Sequence, residues 1–215
     1  PKLVPQSAGA FTAMAAEVSI MMQPETVTFT AGRSEVTGHL YRPDGVETPP
    51  VVVMAHGFAA RQNWGLPSFA ERFAGRGIAA LTFDYRGFGE SGGGPRRVVS
   101  AEKQRADYRS AIDFVHGRED LDADALALWG MSYSGGHVIA LAANEDVQAA
   151  VATVPFTDGL HVAAHAIQHG GIDYLRGMAV GLTKDARQIL FRRDPHTVRV
   201  VPERDHEGFA VLATP

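Results

Sequence analysis

The chain has 215 residues, 45% hydrophobic and 20% charged, a length and balance that predict one globular domain with a substantial core and exclude a disordered or fibrous polypeptide. Twenty Lys and Arg against 24 Asp and Glu give a net charge of -4, so no positive field gathers nucleic acid or anionic lipid, and small neutral partners are expected. Cysteine is absent, which excludes a disulfide framework, thiolate metal sites and a cysteine nucleophile and makes the cytoplasm the expected compartment.

Residues 1–24 hold a mildly apolar stretch around Phe11 to Ala16 preceded only by Lys2. No run approaches membrane-spanning length, and the segment is expected to be a leader or a disordered terminus. From Glu25 onward strands alternate with helices, the pattern of a mostly parallel sheet covered on both faces. Glu25–Ala31 and Glu35–Tyr41 each alternate apolar and polar residues and predict a hairpin turning at Gly32-Arg33. Val51–Ala55 is continuously apolar, as a strand buried on both faces must be. Pro67–Gly75 predicts a short helix with Phe69, Ala70 and Phe73 on its inner face, and Ile78–Phe83 a second buried strand. Ser100 is the expected N-cap of a helix reaching His116, with Ala106, Ile112, Phe114 and Val115 inward and Gly117 as its stop.

Asp124–Trp129 predicts a third buried strand, running through Gly130-Met131-Ser132-Tyr133-Ser134-Gly135-Gly136 into an apolar helix over His137–Ala143. Ala149–Val154 predicts a fourth buried strand, and residues 159–192 read as helical with no strand between them. The core is thus expected over residues 25–158 and a helical cap or lid over residues 159–215.

A serine hydroxyl becomes a useful nucleophile when its oxygen is held in the open beside a base, with donors ready for the oxyanion. A sharp strand-to-helix turn provides the first condition and tolerates only small residues two before and two after the serine. Gly130 and Ser134 meet that demand around Ser132, although the usual pattern has glycine where Ser134 stands. The competing reading is that Ser132 merely caps the helix that follows. His56-Gly57-Phe58 ends the first buried strand at the same carboxyl edge of the sheet, where open α/β folds place their ligands. The amides of Phe58 and Tyr133 are the expected oxyanion donors. His56 precedes the nucleophile and is expected to make a structural hydrogen bond to its loop.

His56-Gly57-Phe58, the loop Asp84-Tyr85-Arg86-Gly87-Phe88-Gly89-Glu90-Ser91 and the turn at Ser132 together resemble, in order and spacing, three landmarks of the α/β-hydrolase superfamily. The resemblance covers roughly residues 25–158 and is nearest to the dienelactone-hydrolase-like and Xaa-Pro-peptidase-like serine hydrolases. It implies an α/β-hydrolase fold, a scaffold role for Asp84 and Arg86, and an acid and a histidine lying after the nucleophile.

For those two groups the chain offers a predicted strand over Thr197–Val201 followed by Asp205 and His206, whose adjacent side chains point to opposite faces of an extended segment. It also offers Asp158 with His161, His165 or His169; Asp158 precedes a predicted helix and reads better as its cap. The three histidines share a helical face, but eight residues of helix rise about 12 Å, too far for the outer two to reach one ion at about 2.1 Å. Residues 208–215 are similar to cap sequence of the family, so the chain is expected to stop within a cap, as a fragment, a nicked enzyme or a degenerate relative. The expected partners are a small-molecule ester or amide and either a complementary C-terminal chain or a second copy of this one. The expected function is ester or amide hydrolysis through an acyl-enzyme on Ser132, without metal or organic cofactor. The other reading is a non-catalytic hydrolase-fold protein that binds a small ligand or a partner chain.

Overall fold

The computed structural model of the chain describes residues 23–200. The expectations for residues 1–22, Val201, Asp205, His206 and residues 208–215 therefore lie outside the described residues. The elements run β1 (Glu25–Ala31), β2 (Ser34–Tyr41), β3 (Pro50–Ala55), α1 (Leu66–Ala74), β4 (Ala79–Phe83), α2 (Ala101–His116), β5 (Asp122–Met131), α3 (Tyr133–Ala142), β6 (Ala149–Thr153) and α4 (Gly159–Leu190). No described helix is long and apolar enough to cross a membrane.

The strands form one 6-stranded sheet in the order β1-β2-β4-β3-β5-β6. β1 and β2 make an antiparallel hairpin that joins β4 antiparallel, whereas β4, β3, β5 and β6 are mutually parallel. Successive side chains leave a strand on opposite faces, so β3 feeds two cores. Val51, Val53 and Ala55 pack with Tyr108, Ala111 and Val115 of α2 and Val138 and Leu141 of α3. Val52 and Met54 pack with Leu66, Ala70 and Ala74 of α1 and with Trp129. The inner face of α1 is thus the Leu66-Ala70-Ala74 row, while the predicted Phe69 is 39% exposed and lies against Trp129 of β5.

The predicted cap of α2 is present, the Ser100 hydroxyl accepting from Lys103 N at 3.4 Å. Its buried face is more polar than predicted, because Gln104, Asp107 and Tyr108 point inward with Ala111, Ile112 and Val115. Helix α3 begins at Tyr133, four residues earlier than predicted, since the chain enters helical conformation directly after Ser132.

Two further expectations are corrected. β6 is not a buried strand: among the described residues it pairs only with β5, and Val151 is 46% exposed. Position at the sheet edge, not apolarity, sets its exposure. Thr197–Val200 does not form a strand, the run carrying only a single bridge residue at Arg199. Helix α4 is interrupted at Gly171, whose φ of 57° and ψ of -152° divide it into two helical stretches.

Candidate active site

In a sheet that grows outward in both directions from one strand, the loops leaving the carboxyl ends of neighbouring strands diverge and open a crevice. Here the chain passes from β3 to β4 on one side and returns to β5 on the other. Ala55 stands opposite both Phe83 and Gly130, and Met131 opposite Thr153. The loops after β3, β4, β5 and β6 therefore share one edge, and Ser132 sits at it.

Ser132 has φ 57° and ψ -117°, a conformation that costs a non-glycine residue of order 1–3 kcal/mol and survives only where the surroundings enforce it. The enforcing bonds come from the end of β6: Ser132 N donates to Thr153 O at 2.9 Å, and Phe156 N donates to Ser132 O at 2.9 Å. The turn closes so tightly that a Cβ on Gly130 would stand 2.5 Å from Ser134 O. The Ser132 side chain is exposed and makes no capping bond to α3, which removes the helix-cap reading. Among the described residues no histidine hydrogen-bonds its hydroxyl.

Ser134 is tolerated where glycine is usual because its hydroxyl has work of its own. It is fully buried, donates to Ala55 O at 2.7 Å and accepts from Met131 N at 3.0 Å, tying the end of β3 to the end of β5. Tyr108 completes the tie from α2: its hydroxyl accepts from Ala55 N at 3.0 Å and donates to Trp129 O at 2.9 Å. Sequence reasoning missed Tyr108, and the available signal was a polar inner row at helical spacing through Gln104, Asp107 and Tyr108.

The loop after β3 lies against the turn. A Cβ on Gly57 would be 3.5 Å from Ser132 Cβ and 3.9 Å from its Oγ. The rings of Phe58 and Tyr133 meet edge to face at 5.6 Å, and Phe156 joins Tyr133 at 5.4 Å. Ser132, Phe58 and Tyr133 are thus brought together at one corner of the sheet edge.

His56 points away from that corner. It is 2% exposed, its Nδ1 donates to Gly57 O at 2.9 Å, and its Nε2 faces Asp84 Oδ1 at 3.6 Å. Burial pushes its pKa down, opposed by the Gly57 carbonyl and by Asp84. Asp84 holds two loops, accepting from Gln62 N at 2.8 Å and Glu90 N at 3.0 Å. Arg86 is anchored on buried Asp107, which accepts from both its backbone amide and its guanidinium. Behind the nucleophile, His137 is 3% exposed and donates through Nε2 to Gln104 Oε1 at 3.0 Å. Burial, with Arg105 adding, lowers its pKa to about 4.

Asp158 is the cap of α4, accepting from Leu160 N at 2.9 Å and His161 N at 3.0 Å. The rings of His165 and His169 lie 4.0 Å apart, with His169 Nδ1 bonded to the His165 carbonyl at 2.9 Å. Neither group contacts Ser132.

The family model described as X-Pro dipeptidyl-peptidase (S15 family) matches residues 34–206. The quorum-quenching protein AidA of Acinetobacter baumannii is 39% identical over 142 residues, covering 66% of this chain and 47% of that protein. Thiohydrolase aneE of Aspergillus aculeatus is 41% identical over 118 residues, covering 55% of this chain and 36% of that protein. The crystal structure of the alpha/beta hydrolase GrgF from Penicillium superposes with a TM-score of 0.67 at 26% identity, covering 83% of this chain and 59% of that one. The chain spans between 36% and 59% of the length of these three relatives. With its mostly parallel sheet, its crevice and its Ser132 turn, the chain belongs to the X-Pro dipeptidyl-peptidase (S15) family of α/β-hydrolases.

Proposed function

We propose that the chain carries the nucleophile and oxyanion donors of a serine hydrolase that cleaves a carboxylic ester or amide, or a thioester, through an acyl-enzyme on Ser132. The observation that carries this reading is the strained, exposed Ser132, enforced by bonds from Thr153 and Phe156. Ser132 Oγ attacks the acyl carbon, the carbonyl oxygen takes the developing charge between the amides of Phe58 and Tyr133, and the leaving group departs. Water then hydrolyses the acyl-serine. The proton of Ser132 needs a base, and the described residues place none beside it, so that group is supplied from elsewhere in the protein. No residue of the reading calls for a metal or an organic cofactor.

Turnover of p-nitrophenyl acyl esters tests this. Ser132→Ala is expected to lower kcat by about three orders of magnitude or more, as loss of a triad serine does. Turnover that survives the substitution would remove Ser132 from the mechanism.

The absence of a histidine at Ser132 among the described residues favours a second reading, a hydrolase-fold protein that binds a small ligand and cleaves nothing. Serine-dependent turnover eliminates it.

A further inference from the structure

A cavity of about 650 Å³ opens beside Phe58, and its walls carry Arg61, Arg96, Arg97 and Arg199 together with Trp64. None of the described residues that line it is Asp or Glu. Four arginines thus line one concavity in a chain whose net charge is -4. Such a cluster repels itself, and concave walls focus its field into the space they enclose.

The loop that follows β4 positions two of them. Arg96 donates to Ser91 O at 2.6 Å and to Gly89 O at 2.7 Å, which fixes its guanidinium over the loop that follows β4. Arg97 adopts a φ of 62° and donates its amide to Gly87 O at 3.0 Å, an uncommon backbone for arginine that this loop imposes. Among the described residues Arg61, Arg96 and Arg97 have no carboxylate partner, whereas Arg42, Arg86, Arg109 and Arg118 elsewhere are all paired. Trp64, 62% exposed, supplies an apolar flank at the mouth.

We propose that this cavity binds an anionic oxygen group, a carboxylate or a phosphate, at the end of the substrate remote from the cleaved bond. The cavity touches Phe58 but not Ser132, so the anion sits at a distance from the acyl carbon, whose carbonyl oxygen the Phe58 and Tyr133 amides hold. The inference rests on the acyl-transfer reading for that placement and names its substrate class: acyl compounds carrying a negative charge away from the reacting carbonyl. Arginine suits this task because its planar fork pairs two oxygens at once.

Calorimetric titration of the chain carrying Ser132→Ala tests it without turnover, with monomethyl glutarate, neutral dimethyl glutarate and methyl phosphate as probes. At low salt an anionic probe is expected to bind about tenfold or more tighter than dimethyl glutarate. The preference is expected to shrink as salt is raised and to fall in Arg61→Gln/Arg97→Gln. Tighter binding of monomethyl glutarate than of methyl phosphate assigns the anion as a carboxylate, and the reverse order as a phosphate. Equal or undetectable binding of charged and neutral probes overturns the proposal, as does a charge preference that salt or the double substitution leaves unchanged. The salt series uses the full arginine set and is independent of how the variant folds. Failure here leaves Ser132 labelling and turnover untouched, and failure of those leaves this binding result standing.

Discussion

A methyl group on Gly136 would overlap the Phe156 carbonyl oxygen, whose own amide holds the Ser132 carbonyl. Gly136→Ala is therefore expected to destabilise the chain by about 1–3 kcal/mol through overpacking and to slow chemistry at Ser132, read by urea denaturation and by probe labelling rate. Tyr108→Phe removes a hydroxyl that serves two buried backbone groups, Ala55 N and Trp129 O. Leaving them unpaired is expected to cost about 1–3 kcal/mol, and a variant as stable as the parent would contradict that role. His137 has an ordinary pKa of 6.5 when unfolded and about 4 when folded, so below pH 6.5 the unfolded chain takes up the proton first. Its contribution is present above pH 6.5 and is lost at about 1.4 kcal/mol per unit as the pH falls towards 4. Urea denaturation at several pH values should show that slope flattened in His137→Gln. Ser132 and Gly130 were legible in the sequence because a tight turn imposes its steric demands on immediate neighbours. Tyr108 was not, because its partners stand 53 and 21 residues away.

The limits of α2 were readable for a similarly local reason: Ser100 and Gly117 flank it, and capping is a contact across a few residues. Its inner face was not, since a buried Asp107 or Gln104 is satisfied only by Arg86 and His137 from other elements. β6 shows the converse difficulty. Ala149–Ala152 is an unbroken apolar run like Val51–Ala55, yet β3 lies between two strands and β6 at the margin of the described sheet. A run of apolar residues reports the strand and not its neighbours. Leu128→Ala, at a fully buried position of β5, is accordingly expected to cost about 2–5 kcal/mol, whereas Val151→Ala should stay within about 0.5 kcal/mol, as exposed positions do. Comparable losses at both positions would place β6 in a covered environment.

For the molecule as a whole, the sheet edge gathers what the chain has distributed along its length: the Phe58 loop from β3, Asp84 from β4, Ser132 from β5 and the bracing carbonyl of Thr153 from β6. Beside that edge stand an exposed β6 and, on α4, Leu160 and Leu182 at 85% and 66% exposure. An apolar, unpaired strand edge recruits other chains, so the purified 215-residue chain is expected to self-associate and Val151→Lys to reduce that association, as light scattering would show. The claim on which the functional account depends is that Ser132 is the nucleophile. Peptide mapping by mass spectrometry after treatment with a fluorophosphonate tests it most directly. The account predicts an adduct on Ser132 that disappears in Ser132→Ala; an adduct on another serine, or one that persists in that variant, would contradict it.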